Sequence, residues 1–81
     1  MAERPKHPMP DFIRDSLEAN GVMDDYNARP FYQRNDYIGW ITRAKQESTR
    51  LKRLNQMIAE LHTGGVYMKM DHQPSMKRNP H

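Results

Sequence analysis

Residues 37–53, YIGWITRAKQESTRLKR, decide the fold of this 81-residue chain. On a helical wheel, four apolar side chains of this stretch fall within an arc of about 100°, as an amphipathic helix requires. These four are Tyr37, Trp40, Ile41 and Ala44. A polar break follows them, and a second helical pattern begins at Glu47. We therefore predict helices over about 31–44 and 47–62, joined by a very short link into an αα-hairpin.

The second of these helices carries its own apolar stripe. Its members, at i, i+3, i+7 and i+10, are Leu51, Leu54, Ile58 and Leu61, with Met57 at the edge. Gly64-Gly65 is a helix stop, because glycine adopts left-handed backbone freely. Gly39, inside the preceding helix, costs about 1 kcal/mol relative to alanine. A close approach of another helix explains Gly39 better than a functional hinge does.

Upstream of this hairpin, the sequence predicts two shorter helical segments. A first helix over about 10–19 has an apolar stripe of Phe12, Ile13 and Leu17, and Asn20-Gly21 ends it. Residues 22–28 can form one or two turns with Met23 and Tyr26 facing inward. Pro30 ends that segment, since the residue before a proline avoids helical geometry.

The predicted fold class is therefore all-α, a small bundle of three to four helices. Residues 10–70 form the domain, between a flexible arm over 1–9 and a disordered tail over 71–81. Three prolines in the first ten residues favour an extended arm. Residues 66–70 have no sustained period, and the sequence leaves open whether they pack on the bundle.

Composition excludes several classes of function. The chain has no cysteine, so disulfides, cysteine-ligated metals and thiol catalysis are excluded. Only 36% of the residues are hydrophobic, so we expect a core of about a dozen apolar side chains. No apolar run approaches the roughly 18 residues that span a membrane. The polar first ten residues do not resemble a signal peptide, and we expect a cytoplasmic protein.

The sequence offers no convincing catalytic, cofactor or metal site. None of the four histidines has an i, i+4 partner of the kind that binds zinc on a helix. Asp24 and Asp25 are adjacent, and adjacent helical side chains point about 100° apart rather than into one site. We therefore expect no enzyme and no cofactor.

Charge is unevenly distributed along the chain. Residues 11–28 carry a net charge of −4 and residues 29–45 carry +3, within an overall +3. We expect these charges to form solvated faces that compensate each other within the domain, and an anion-binding surface is the alternative.

Four residues near the helix junction form the predicted partner-binding surface: Lys45, Thr49, Lys52 and Arg53. Exposed Tyr32 or Tyr67 is a candidate aromatic anchor for a protein partner. Arg50 lies nearer the apolar stripe, where we expect a structural ion pair with an acid of the first or second helix.

Nucleic-acid binding through the basic face of the fourth helix is the alternative function. Two helices joined by a short turn resemble a helix-turn-helix. However, a net charge of +3 is a small basic excess for a DNA-binding protein, and the apolar stripe of the fourth helix is expected to pack in the core. The small core and seven methionines also leave a monomer or a weak homodimer open.

The run ARPFYQRNDYIGWITRAKQESTRLKRLNQMIAEL, followed by GGVYMKM, resembles the YdeI/OmpD-associated family, also called bacteriocin-protection proteins. Eight residues carry the resemblance together with Gly64: Tyr37, Trp40, Ile41, Ala44, Lys45, Thr49, Arg50 and Arg53. The resemblance covers about residues 9–70 and implies a helical module linked to envelope stress or protection from antimicrobial peptides. It implies no established reaction. Whether Thr49, Arg50 and Arg53 bind a partner or fix the helix junction stays open at this point.

Overall fold

The structure, a computed structural model, describes residues 8–71, apart from the side chains of Met70 and Asp71. Within this range the chain forms four helices and one β-hairpin. They are α1 (Asp11–Ala19), α2 (Met23–Asn27), α3 (Phe31–Thr42), α4 (Glu47–Thr63), β1 (Val66–Tyr67) and β2 (Met70–Asp71). The all-α bundle with adjacent third and fourth helices is thereby confirmed. The arm predicted over 1–9 and the tail predicted over 71–81 lie mostly outside the described residues.

Helix boundaries follow local chemistry. Pro10 and Pro30 have extended backbone, and their carbonyls accept the first amides of α1 and α3. The third helix ends at Thr42, two residues earlier than its apolar pattern predicts. The Thr42 hydroxyl donates to the carbonyl oxygen of Ile38 at 2.8 Å. The Ala44 amide then donates to the carbonyl oxygen of Ile41, three residues before it rather than four, at 3.3 Å. Ala44 is nevertheless buried, as the wheel predicts.

Helix α3 packs against α4, and α2 contacts both α1 and α4. Apolar side chains from all four helices form the core between them. The buried members are Ile13, Leu17, Val22, Tyr26, Tyr37, Ile38, Ile41, Leu54, Met57, Ile58 and Leu61, and Met9 and Trp40 pack partly buried at the margin. With Ala44 this gives the dozen buried apolar side chains expected from the composition.

Two apolar residues predicted for the core lie at the surface instead. Leu51 begins the α4 stripe but is 46% exposed, and Phe12 of α1 is 37% exposed. On α4, Arg50 and Arg53 are half-buried, whereas Leu51 lies between them at the exposed edge of the stripe, about 120° around the helix from the buried Met57. Periodicity reports that a stripe is apolar, but it does not report which edge of the stripe the neighbouring elements leave uncovered.

A two-stranded antiparallel hairpin completes the fold, and the sequence pattern did not predict it. Val66 pairs with Asp71 and Tyr67 pairs with Met70. The two turn residues, Met68 and Lys69, both have positive φ, which is typical of a type I′ hairpin turn. Such turns normally use Asn-Gly, so this pair gave no signal. Tyr67 and Met68 pack partly buried against the core, so the segment folds back onto the bundle.

Truncation of Leu51 and of Leu54 should have very different effects. We expect Leu54→Ala to lower the free energy of unfolding by about 2–5 kcal/mol, because it leaves a cavity in the core. We expect Leu51→Ala to change it by less than about 0.5 kcal/mol, since this side chain is largely solvated. Denaturant unfolding of the two variants measures both values. Equal losses would show that Leu51 belongs to the core.

Candidate functional site

The predicted partner-binding surface is divided by the structure into outward and inward parts. Lys45, in the link between α3 and α4, and Lys52, on α4, are exposed. Thr49 and Arg53 are half-buried. The four residues lie in and just after the helix junction, but only the two lysines are directed mainly to solvent.

Arg53 is directed toward α3. Its guanidinium donates a 2.6 Å hydrogen bond to the carbonyl oxygen of Trp40 and lies 5.3 Å from the centre of the Trp40 ring. The last carbonyls of a helix have no partner within the helix, and a cation there also complements the negative end of the helix dipole. Arg53 therefore caps α3 from α4, and the cation–π contact adds to this link.

Arg50 contacts the link that follows α3. It donates to the carbonyl oxygen of Ala44 at 3.5 Å, and its guanidinium lies 5.9 Å from the centre of the Phe12 ring. We expected an ion pair with an acid of the first or second helix. The ion pair instead joins Arg50 to Glu47 on α4 itself, at 3.0 Å, because i, i+3 spacing brings these side chains together. The contact of Arg50 with α1 is the cation–π contact with the Phe12 ring.

Two ion pairs in the described part of the structure lie within single helices. They are Asp11–Arg14 on α1 and Glu47–Arg50 on α4. Lys45 and Lys52 make no ion pair with the described residues. Their charge is therefore available at the surface.

The two tyrosines proposed as anchors lie beside each other. Tyr32 is exposed and Tyr67 is half-buried, and their rings meet edge to face with centroids 6.0 Å apart. Tyr67 also makes an edge contact with the buried Tyr37 ring at 5.4 Å and donates to Asp36 at 2.8 Å. Tyr67 therefore holds the hairpin to α3, and only Tyr32 has the exposure that an anchor needs.

A buried polar cluster under the hairpin is the feature that the sequence analysis missed. Its members, which we call the Glu60 cluster, are Arg29, Gln33, Tyr37 and Glu60. Arg29 is 5% exposed and Glu60 is 6% exposed, whereas most arginines and glutamates lie at the surface. Buried charges of this kind must be hydrogen-bonded, and both are.

The Glu60 carboxylate joins three parts of the fold. It accepts a short hydrogen bond from the Tyr37 hydroxyl of α3 and one from the Gln56 amide of α4 at 3.1 Å. Its two oxygens also accept the backbone amides of Met68 and Lys69, each at 2.8 Å. Two successive amides in left-handed backbone form an anion-binding concavity, and here the anion is the chain's own glutamate.

Arg29 holds the other end of the hairpin. Its guanidinium donates to the carbonyl oxygens of Val66 at 2.8 Å and Glu60 at 3.1 Å, and to the side-chain oxygen of Gln33 at 3.0 Å. A planar guanidinium suits this role because its donors point in several fixed directions. Arg29 thus joins the start of α3, the end of α4 and β1.

Burial raises the pKa of Tyr37 far above its ordinary value, and the hydrogen bond to Glu60 and the charge of that carboxylate raise it further. The phenol therefore stays neutral and acts as a hydrogen-bond donor. The cluster provides a fixed donor and a fixed carboxylate, but both are already used within the fold.

One sequence signal could have indicated the cluster. Glu60 lies three residues after Met57 and next to Leu61, at the margin of the apolar face of α4, where a solvated glutamate is not expected. Arg29 and Gln33 gave no such signal, because Arg29 lies outside any helix. Two of the acceptors of Arg29, the carbonyl oxygens of Glu60 and Val66, are 31 and 37 residues away in the chain.

No group of three or more histidine, cysteine, aspartate or glutamate side chains is arranged to hold a metal ion within residues 8–71. None of the helices in this part of the chain is long and apolar enough to cross a membrane.

Replacement of Arg53 should destabilise the fold, whereas replacement of its neighbour Lys52 should not. We expect Arg53→Ala to lower the free energy of unfolding by about 1–2 kcal/mol, because the Trp40 carbonyl loses its charged donor and the indole loses its cation. The solvated Lys52→Ala is the matched control, with a change below about 0.5 kcal/mol. Thermal or denaturant unfolding measures both. An unchanged Arg53→Ala variant would contradict the capping role.

Ionisation of Tyr37 should lower the stability of the folded chain at alkaline pH. The pKa of a tyrosine in the unfolded chain is about 10 and that of folded Tyr37 is higher, so its stabilising contribution is complete below pH ~10 and is lost as the pH rises above it. We expect Tyr37→Phe to be less stable at neutral pH, since Glu60 loses a donor, but to lose less stability above pH ~10. Unfolding curves across this range test it, with Tyr32→Phe as the control. Parallel pH profiles for Tyr37→Phe and the parent chain would contradict this assignment.

Comparison with known proteins identifies a family for this chain. The family described as bacteriocin-protection, YdeI or OmpD-associated matches residues 6–64. No curated protein and no solved structure shows a significant match to the chain. The matched segment spans all four helices and contains Tyr37, Arg50, Arg53 and Glu60. Because it covers well over half of the 81 residues, the chain belongs to the bacteriocin-protection, YdeI or OmpD-associated family.

Proposed function

We propose that this chain is a non-enzymatic interaction module that binds an acidic, amphipathic protein partner. The binding surface lies at the helix junction and the first turns of α4, and we call it the junction surface: Lys45, Leu51 and Lys52. Thr49 lies at its margin. Membership of the family supports a role in protection from bacteriocins, and the proposal is that this role is carried by the partner that the junction surface recruits.

The observation that carries this proposal is the position of Leu51. It is 46% exposed, although it continues the apolar stripe whose next members are buried. Full burial of an exposed leucine contributes about 1.5–3 kcal/mol, so burial of the exposed part of Leu51 by a partner contributes roughly half of that. Single exposed leucines are common at protein surfaces, so the proposal depends on what lies beside this one.

The positive charges near Leu51 indicate an acidic partner. Lys52 follows it directly, and Lys45 lies in the link just before α4; both are exposed and neither pairs with a described acid. Arg50 and Arg53 are not part of the surface, because both are half-buried and donate to main-chain oxygens, Arg53 at the end of α3 and Arg50 in the link that follows it. An apolar centre with a cationic margin suits a partner helix or strand that carries apolar and acidic side chains.

The inward orientation of the two arginines also weakens nucleic-acid binding as an alternative. A helix that reads DNA presents its cations to the phosphates, and here the two arginines of α4 donate to main-chain oxygens of the junction. Lys45 and Lys52 alone provide a small electrostatic footprint.

The double variant Leu51→Ser/Lys52→Glu should lose the partner. We expect a roughly tenfold or greater loss of affinity in a pull-down or titration, since an apolar anchor is removed and a charge is reversed. The variant should remain folded, because neither side chain is in the core. Its matched control is Ala59→Ser/His62→Glu, which makes comparable changes at exposed positions in the C-terminal half of α4.

Equal capture by the double variant and the control would show that the partner binds elsewhere. Capture of DNA or RNA that falls steeply with salt would favour the nucleic-acid alternative instead. In cells, the parent chain and the control should restore survival after bacteriocin challenge, and the double variant should not.

A further inference from the structure

The hairpin differs from the helices in the interactions that attach it to the domain. Its three apolar side chains Val66, Tyr67 and Met68 are only half-buried, and each strand has two residues. A hairpin of this size is at best marginally stable alone. Its attachment to the helices is mainly polar: Arg29 to the Val66 carbonyl, Glu60 to the turn amides, and Asp36 to the Tyr67 hydroxyl.

The connection to α4 is a pair of glycines in backbone that other residues rarely adopt. Gly64 has φ 71° and ψ 158°, a region almost confined to glycine, and Gly65 has φ 69°. The glycine pair lets the chain change direction sharply. Glycine also restricts backbone rotation less than any other residue. A polar attachment beside such a pair is the arrangement of a hinged segment.

The surface beneath the hairpin would keep its shape without it. Glu60 accepts four described hydrogen bonds, and those from Tyr37 and Gln56 do not involve the hairpin. Of the three hydrogen bonds that Arg29 donates, those to Gln33 and to the Glu60 carbonyl also remain. A receptor whose donors and acceptors are fixed beforehand loses little entropy on binding.

We propose that residues 66–71 form a latch that opens as one unit about Gly64-Gly65, and that the surface it covers is a binding site for turn-forming peptide segments. The site offers a carboxylate for two successive backbone amides and a guanidinium for one carbonyl, beside an aromatic face of Tyr37. Its occupant is a tight turn in left-handed backbone that follows an aromatic residue, as in the chain's own VYMK sequence. This site is distinct from the junction surface and does not depend on the function proposed for it.

Hydrogen exchange of the full chain tests the latch. The amides of Met68 and Lys69 should exchange through an opening that leaves the α4 amides of Leu54 and Ile58 protected. Glu60→Gln keeps the size of the side chain but turns one acceptor into a donor, so we expect it to speed exchange of the two turn amides roughly tenfold. Exchange of all four amides at a common rate in both chains would overturn the proposal. If Glu60→Gln does not fold, Asp36→Asn, which weakens the tether to the Tyr67 hydroxyl, replaces it.

A peptide titration tests the binding site. The probe is the synthetic peptide GVYMKMD, added to the full-length Tyr67→Ala chain, whose latch lacks its aromatic anchor. We expect the peptide to shift the resonances of Arg29, Tyr37 and Glu60, and a scrambled peptide of the same composition to leave them in place. No shift in a folded Tyr67→Ala chain whose turn amides exchange rapidly would overturn the binding site. Loss of binding at the junction surface would leave both measurements unaffected.

Discussion

Burial of the Glu60 carboxylate is the constraint on which the end of this fold depends. A carboxylate removed from water must recover its hydrogen bonds within the protein, and Glu60 obtains donors from α3, α4 and the hairpin turn. Each donor brings its own segment into place. The requirement of one side chain therefore fixes where α4 lies against Tyr37 and where the chain goes after Gly65.

The same carboxylate explains a turn that propensity alone would not allow. Met68 and Lys69 both adopt left-handed backbone, at a cost of about 1–2 kcal/mol per residue for side chains other than glycine. Hydrogen bonds to a charged group contribute about 1.5–3 kcal/mol each, and each of these amides makes one. The two effects are of similar size. Tertiary contact thus replaces the Asn-Gly sequence that would make such a turn locally.

The sequence predicted the features that depend on residues close together in the chain, and it missed those that depend on distant residues. Helices, their ends at Asn20-Gly21 and Gly64-Gly65, and the pairing of α3 with α4 depend on neighbouring residues, and these predictions were confirmed. The exposure of Leu51, the partner of Arg53 and the hairpin depend on where other elements end or pass. Periodicity assigns Arg53 to a polar face, and only the position of the Trp40 carbonyl shows that this face meets the end of α3.

The cations of α4 show why charge in a sequence is a weak guide to a binding surface. Four basic residues between Lys45 and Arg53 look alike in the sequence, yet Arg50 and Arg53 donate to main-chain oxygens of the junction and Lys45 and Lys52 do not. The division follows side-chain chemistry, because a guanidinium donates in several fixed directions and can stack on an aromatic ring while it does so. An ammonium on a flexible stem is more strongly hydrated and favours solvent. The arginines therefore join α4 to the end of α3 and to the link that follows it, whereas Lys45 and Lys52 stay exposed.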